Sequence, residues 1–274
     1  MCCVLIGLVV FGLSAGPVFA GGRREAPPAV TDEAQPGQGA AEQPVTMLVA
    51  AAASLRNAFE QELIPRFQAA YPWITVEGTY DSSGKLQTQI EQGLEADVFM
   101  SAATTQMTNL VNGALVREDA VRPLLENRIV LIKPLGISTT VTGFQDITAA
   151  PLIALGDPAS VPAGQYAQEI FTNLGIWDAV RAKASLGTNV TEVLNWVAEA
   201  SAEVGVVYAT DAASSAKVEV LAEAPAGSMA RPVIYPVAPV AASSHPEEAR
   251  LFIEFLASPQ GLEVFAAYGF TAAR

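Results

Sequence analysis

Short apolar runs alternate with amphipathic stretches along the chain from Val45 onward. The runs are rich in Val, Ile and Leu and are four to eight residues long, which is typical of strands in a largely buried sheet. Eight strands are predicted, at residues 47–50, 74–80, 97–100, 129–132, 152–155, 204–208, 218–221 and 233–240. Strands that alternate with helices in this way predict an α/β fold.

Apolar residues at helical spacing fill the intervals between these strands. The clearest helical faces are Leu55, Phe59, Leu63 and Phe67; Leu86, Ile90 and Leu94; and Val190, Val193, Leu194 and Val197. We interpret them as core packing rather than as ligand contacts. Pro65 lies inside the first pattern and predicts that this helix kinks or ends near Ile64.

The N-terminal 44 residues differ from the rest in composition. Residues 4–20 form an uncharged apolar run that is short for a membrane span and ends in an Ala-x-Ala-like sequence, which predicts a signal peptide over residues 1–20. No positive charge precedes this run, so a displaced start or an uncleaved anchor stays an alternative. Residues 21–44, rich in Gly, Pro, Ala and Gln, predict a flexible linker. We therefore expect a periplasmic or otherwise extracytoplasmic protein.

Both cysteines, Cys2 and Cys3, lie in the predicted leader. The body from Val45 onward therefore has no thiol, no disulfide and no cysteine ligand for a metal. A lipoprotein anchor requires a cysteine directly after the apolar run, and Gly21 stands there, so lipidation is unsupported.

Charge excludes one class of partner. The formal net charge is −13 with only 15 Lys and Arg, so we expect no nucleic-acid partner. The same charge would repel an anion at long range, but exposed charges more than about 8 Å away are largely screened at physiological salt. Local geometry must then decide whether an anion binds.

Candidate binding chemistry lies where an apolar strand leads through small or hydroxyl residues into a helix. Four such places are residues 49–55, 81–86, 155–164 and 187–190. Ser54 could cap a helix and donate to an anion; Pro162 suits a first helical turn and would leave the N–H of Ala163 free. Thr188 and Asn189 are both cap candidates. Helix N-termini that converge would form an anion site without a cationic side chain, although each one alone is equally typical of an ordinary cap.

Sequence signatures of enzymes and nucleotide binding are weak. Gly84 and Lys85 suggest a phosphate-binding loop, but Thr79 stands where the loop needs Gly, so we expect Lys85 to be a solvated charge. A hydrolase-like G-x-S-x-G sequence at residues 12–16 falls in the leader, outside any strand–turn–helix context. His245, the only histidine, precedes a helix start and is expected at the surface.

The carboxylates show no spacing typical of metal ligands. Asp157 and Asp211 are expected to brace turns, and Glu247 and Glu248 begin a helix. We therefore expect neither a resident metal ion nor a cofactor.

At six segments the sequence resembles the molybdate-binding proteins that serve bacterial ABC importers. The matching segments are residues 51–55 (AAASL), 82–86 (SSGKL), 96–102 (ADVFMSA), 156–164 (GDP and VPAG), 205–208 (GVVY) and 268–270 (YGF). Their order and spacing cover nearly the whole body, which makes the set specific although each member is not.

The resemblance implies the type II periplasmic-binding-protein fold, with two α/β lobes, two hinge crossings and a ligand cleft. The lobes would comprise residues 45–126 with 235–274, and residues 127–234. It also implies capture of molybdate or tungstate for an ABC permease, with no catalysis, and molybdenum held only as the oxyanion. We further expect a monomer.

Carried over segment by segment, the resemblance assigns the ligand donors. Ser54 and Ser83 would offer hydroxyl and amide groups, Ala163 and Val190 backbone N–H groups, and Tyr208 its phenolic O–H. Ser82 is the alternative to Ser83. The family's usual acidic residue is replaced by Asn189, so Val190 is assigned by its spacing to Tyr208.

Other functions stay open on the sequence alone. The ligand could be sulfate, another small oxyanion or an organic acid. An α/β hydrolase-type enzyme is disfavoured by the single histidine and the missing thiol, and a structural surface protein is the least specific alternative.

Overall fold

The computed structural model describes residues 43–274, so the predicted signal peptide and all but the end of the predicted linker lie outside the described residues. The strands are β1 Val45–Ala52, β2 Ile74–Asp81, β3 Val98–Met100, β4 Arg122–Asn127, β5 Ile129–Pro134, β6 Ile153–Gly156, β7 Ala184–Gly187, β8 Val204–Tyr208, β9 Val218–Glu223, β10 Val233–Pro239 and β11 Thr271–Ala272. The α-helices are α1 Arg56–Ala58, α2 Ile64–Ala70, α3 Ser83–Glu91, α4 Thr104–Asn112, α5 Pro162–Asn173, α6 Trp177–Arg181, α7 Val190–Ala198, α8 Ala209–Ala213, α9 Pro246–Leu256 and α10 Pro259–Ala267.

These strands form two separate mixed sheets. The first has the order β11-β4-β10-β3-β1-β2, and the second has the order β7-β6-β8-β5-β9. In the first sheet β1 runs parallel to β2 and β3, while β10 runs antiparallel to β3 and β4. In the second sheet β6 runs parallel to β7 and β8, while β5 runs antiparallel to β8 and β9.

The chain passes between the sheets twice, from β4 to β5 and from β9 back to β10. This connectivity confirms the predicted two-lobed α/β fold with two crossings. β4 ends at Asn127 and β10 begins at Val233. The predicted lobe boundaries, 45–126 with 235–274 and 127–234, stay a prediction.

All eight predicted strands overlap with observed strands, whereas β4, β7 and β11 were missed. Strand β4 contains Pro123 and two charged residues, so it lacks a continuous apolar run; its place is set by antiparallel pairing with β10. Strand β7 (ASLG) has a single large apolar residue, Leu186, and among the described strands pairs only with β6. Both depend on a neighbouring strand rather than on their own hydrophobicity.

The first predicted helical face is core, as expected. Leu55, Phe59, Leu63 and Phe67 are all fully buried. The chain stays helical through Pro65 to Ala70, so the helix does not end near Ile64, while the alternative of a kink there stays a prediction. A π-helical turn over Phe59–Leu63 precedes α2. Since proline has no N–H, it fits the first turn of α2 where the hydrogen-bond pattern changes from π to α.

Between residues 43 and 274 no helix combines the length and the apolar character needed to cross a membrane.

Candidate functional site

A small cavity lies between the two lobes. Its lining residues are Ala52, Ala53, Ser54, Asp81, Ser82, Ser83, Ala102, Val161, Pro162, Ala163, Val190 and Tyr208. All five predicted ligand residues and the alternative Ser82 are among them. The cavity volume is about 10 Å³, far below the roughly 300–1,000 Å³ of pockets for drug-sized molecules. In this closed arrangement only a very compact ligand could be enclosed.

Three helices point their N-termini into the cavity. Ser83 is the first residue of α3, Ala163 the second residue of α5, and Val190 the first residue of α7. The first four N–H groups of an α-helix have no acceptor within the helix, and the helix dipole makes this end positive. These three amides are therefore available to an anion.

Close packing of glycine holds the α5 N-terminus in place. A Cβ on Gly164 would lie 2.0 Å from the carbonyl oxygen of Gly156 at the end of β6. Only glycine lets the helix start this close to the strand. The preceding amide, that of Ala163, is thereby held at the cavity.

Ser83 is oriented as a donor by its own partner. Its side chain is fully buried, and its Oγ accepts a hydrogen bond from the N–H of Ala102 at 3.0 Å. A hydroxyl whose oxygen already accepts can still donate its hydrogen, so Ser83 can donate to an acceptor in the cavity.

Ser82 has a different role at the same turn. It is the N-cap of α3, with its Oγ accepting from the N–H of Lys85 at 3.4 Å, and its own N–H donates to Asp81 Oδ1 at 2.7 Å. This capping role favours Ser83 over Ser82 as the ligand hydroxyl.

Ser54 does not cap a helix, so that prediction was wrong. The short 3₁₀ turn Ala53–Leu55 starts after Ala52 and has no side-chain cap. The Ser54 Oγ lies instead 2.9 Å from the Oη of Tyr235 on β10. The Ser54 hydroxyl is therefore hydrogen-bonded to Tyr235 and not to a backbone N–H at a helix start.

Tyr208 is fully buried at the end of β8, and its Oη lies 3.5 Å from the carbonyl oxygen of Ala102, to which it donates. Burial, reinforced by the neighbouring Tyr235, raises the pKa of Tyr208 well above its usual range. The phenol therefore keeps its proton. Because its hydrogen bond to Ala102 is long, that hydrogen can turn to a better acceptor in the cavity.

One carboxylate, Asp81, belongs to the cavity lining, and no Lys or Arg does. Asp81 accepts from the N–H of Ser82 and, at 3.4 Å each, from Lys85 Nζ and from Asn189 Nδ2. Lys85, expected to be a solvated charge, is partly exposed and also pairs with Asp81. These donors partly offset the negative charge of the one carboxylate that would repel an anion in the cavity.

The two lobes touch directly around the cavity. The N–H of Gly84 donates to the carbonyl of Ser160 at 3.0 Å, and Gln106 Nε2 donates to Gln165 Oε1 at 3.1 Å. Asn189, the N-cap of α7, reaches Asp81 across the same cleft. These contacts define a closed cleft.

The remaining candidates lie outside the cavity. Asp157 Oδ1 accepts from the N–H of Ala159 at 3.0 Å, which confirms its predicted bracing of a turn. Asp211 is buried and accepts from the N–H of Tyr208 at 3.3 Å, also as a brace; burial raises its pKa to about 7. His245 is partly exposed and lies 3.3 Å from Asp97 Oδ1. Within residues 43–274 no group of three or more His, Cys, Asp or Glu could hold a metal ion.

Sequence reasoning missed three residues next to the site, namely Ala102, Asn127 and Tyr235. Asn127 and Tyr235 lie 108 positions apart and share a hydrogen bond of 3.3 Å. No local periodicity marks such a pair. Ala102 belongs to a segment that carried the family resemblance, but the sequence did not predict its hydrogen bond with Ser83.

Two α/β lobes that close over a cavity of helix N-termini and hydroxyl groups define a solute-binding protein. Residues 47–271 match the family described as bacterial extracellular solute-binding protein, and the chain belongs to that family. It is thus an extracytoplasmic binding protein and not an enzyme.

Relatives agree with this assignment. A Bacillus subtilis protein, described provisionally as an ABC transporter substrate-binding lipoprotein, is 41% identical over 84% of this chain and 88% of its own. The molybdate-binding protein ModA of Haemophilus influenzae is 36% identical over 82% of this chain and 89% of its own. The solved structure of the Azotobacter vinelandii periplasmic molybdate-binding protein superposes with a TM-score of 0.72 at 21% identity, covering 83% of this chain and 100% of that one.

Proposed function

We propose that this protein captures molybdate or tungstate and delivers it to an ABC permease. The observation that carries the proposal is the chemistry of the cavity, which offers neutral N–H and O–H donors from both lobes and no cationic side chain. The proposed ligand contacts are Ser54, Ser83, Ala163, Val190 and Tyr208. Molybdate is the ligand that the name of the Haemophilus influenzae relative gives.

A cavity of donors suits an oxyanion that is fully deprotonated at neutral pH. Such an anion needs only donors, whereas hydrogen phosphate carries an O–H that must find an acceptor. Asp81 is the candidate acceptor, but Ser82, Lys85 and Asn189 already donate to its Oδ1 and Lys85 also reaches its Oδ2, so a ligand O–H would have to compete with them. We therefore expect hydrogen phosphate to bind much more weakly than molybdate.

The energetics are sufficient without an arginine or lysine. Hydrogen bonds to a charged group contribute about 1.5–3 kcal/mol each. Helix N-termini add about 0.3–1 kcal/mol each, and up to about 2 kcal/mol when partly buried. Five such donors can supply the roughly −8 to −12 kcal/mol of micromolar to nanomolar binding after the cost of association.

Donors on both lobes couple binding to closure. A dianion held by Ser54 and Ser83 on one side and by Ala163 and Val190 on the other stabilises the closed state over the open one. A permease can distinguish these two states. We further propose that residues 1–20 direct export, that residues 21–44 link the folded body to the N-terminus, and that the protein acts as a monomer.

Isothermal titration with molybdate, tungstate, sulfate and phosphate tests the proposal. We expect micromolar or tighter binding of molybdate and tungstate, and a loss of at least tenfold in Ser54→Ala. Ser258→Ala is the matched control, because Ser258 also lies at a helix start but caps α10 away from the cavity. Molybdate binding that is undetectable, or no tighter than phosphate binding, would refute the proposal.

Sulfate is the second candidate, favoured by the small volume of the cavity. It is also fully deprotonated at neutral pH and would use the same donors. Tighter binding of sulfate than of molybdate in the same titration would select it.

A further inference from the structure

The hydrogen bond between Ser54 and Tyr235 could run in either direction, since both groups are hydroxyls. A third residue, Asn127, fixes the direction. Its Oδ1 accepts from the N–H of Arg128 at 2.8 Å, which sets the orientation of the amide. The two hydrogens on Nδ2 then have two acceptors, Thr210 Oγ1 at 2.9 Å and Tyr235 Oη at 3.3 Å.

A direction follows from this arrangement. Tyr235 Oη accepts from Asn127 Nδ2, which cannot accept in return, so the hydrogen of Tyr235 goes to its other partner, Ser54 Oγ. Ser54 Oγ in turn accepts from Tyr235, and its hydrogen is left for the cavity that Ser54 lines. Asn127, Thr210 and Tyr235 are all buried, so bulk water does not compete for these bonds.

The hydrogen bonds from Asn127 through Tyr235 to Ser54 lie where the polypeptide passes between the lobes. Asn127 is the last residue of β4 and Tyr235 lies on β10, the strands that flank the two crossings. The ring of Tyr235 packs edge-to-face on Tyr208 and Phe270, with centroid distances of 5.6 Å and 5.4 Å. Ser54 is thus oriented by rigid, packed elements rather than by the ligand.

We propose that Asn127 and Tyr235 are positioning residues that hold Ser54 as a one-way donor and thereby make the site select fully deprotonated oxyanions over protonated ones. This inference rests on the proposed function, in that the ligand is an anion in this cavity. The Ser83 hydroxyl is oriented in the same way, because its Oγ accepts a hydrogen bond from the N–H of Ala102. Each serine oxygen already accepts one hydrogen bond, so its hydrogen is left to donate into the cavity. Accepting a further bond from a ligand O–H would leave that hydrogen without an acceptor, which disfavours a protonated ligand.

A double-mutant cycle tests the proposal. Tyr235→Phe removes the hydroxyl and keeps the ring, and we expect it to weaken molybdate binding about tenfold in the wild-type background. In the Ser54→Ala background the same change should have little effect, because the group that Tyr235 orients is absent. The preference for molybdate over phosphate should also narrow in Tyr235→Phe, since Ser54 is then free to accept.

Tyr80→Phe is the control, because within the described residues the Tyr80 hydroxyl is buried without a hydrogen-bond partner. It should leave both affinity and selectivity unchanged. If Tyr235→Phe is unfolded by circular dichroism, Asn127→Leu replaces it in the same cycle.

The outcomes separate the inference from the function on which it rests. Equal losses from Tyr235→Phe in both backgrounds would mean that Tyr235 acts through packing and would overturn the inference. No loss in the wild-type background would also overturn it. Unchanged molybdate binding in Ser54→Ala would instead refute the proposed site itself.

Discussion

The backbone N–H of Gly84 on α3 donates across the cleft to the carbonyl of Ser160, at a distance of 3.0 Å. A Cβ on Gly84 would lie only 2.4 Å from that carbonyl oxygen. The neighbouring residue, Ser83, contributes to the proposed anion site. The closed cleft therefore needs a residue without a side chain at this position, one residue away from a ligand contact.

Gly84→Ala should prevent closure while leaving the lobes folded. Alanine is more favourable than glycine inside a helix by about 0.5–1 kcal/mol, so the melting temperature without ligand should not fall. Molybdate affinity should drop at least tenfold, because the second-lobe donors cannot reach the ligand. Titration calorimetry and thermal melting measure the two effects.

Gly113→Ala serves as the control for this change. Gly113 has φ −80° at the end of α4, and its Cβ would meet its nearest neighbour at an ordinary 3.5 Å. Its affinity should match the wild type. Wild-type affinity in Gly84→Ala would show that the contact with Ser160 is not required for binding.

Asp211 should make stability depend on pH. Burial raises its pKa to about 7, against about 3.9 in an unfolded chain. The folded protein therefore holds this proton more tightly, and the contribution to the free energy of unfolding falls as pH rises from about 4 to about 7. Between pH 5 and pH 8 the loss from this group amounts to about 2–3 kcal/mol.

Asp211→Asn isolates this effect, because asparagine can still accept from the N–H of Tyr208 but does not titrate. Urea unfolding at pH 5 and pH 8 should show the variant gaining about 2–3 kcal/mol relative to the wild type at the higher pH. A difference between variant and wild type that stays constant with pH would contradict a raised pKa at Asp211.

The same carboxyl should influence anion binding. Asp211 and Ser54 line one adjoining cavity, so an ionised Asp211 adds a negative charge near the proposed ligand. Molybdate affinity should fall by about three- to tenfold from pH 6 to pH 8, and binding near pH 7 should take up protons. Calorimetry in two buffers of different ionisation heat measures that uptake. Asp211→Asn should flatten both dependences, and an equal pH dependence in the variant would assign it to another group.

Local sequence determined much of the fold. Continuous apolar runs were enough to predict strands such as β8, which is buried along its whole length. The pattern failed at β4, where Pro123 and charged residues break the run and pairing with β10 supplies the stability. Such a strand depends on a partner about 110 residues away in the chain, which one-dimensional periodicity does not contain.

The residues of the site also divide into those that local sequence predicts and those that it does not. Segments around Ser54, Ser83, Ala163 and Val190 could be selected because each follows a strand and begins a helical turn, whereas Tyr208 was assigned only by the family resemblance. The environment of Ser54 could not, since its partner Tyr235 lies 181 positions away. The small residues that approach a ligand are visible in the sequence, whereas the residues that orient their hydroxyls become visible only in the folded chain.

Ser83 and Lys85 provide the sharpest test of a neutral anion site, because they lie two residues apart on the first turn of α3. Ser83→Ala removes a donor and leaves the N–H of Ala102 without its acceptor, so molybdate affinity should fall by about 10- to 100-fold. Lys85→Ala removes a partly exposed cation that lies outside the set of proposed donors. Ser82 and Asn189 still donate to Asp81, so affinity should change by no more than about threefold. Titrations of both variants at 50 mM and 500 mM salt give the comparison, with Ser83→Ala expected to lose affinity equally at both. If Lys85→Ala weakens binding as strongly as Ser83→Ala at low salt, a cationic side chain contributes to anion capture and the site is not neutral.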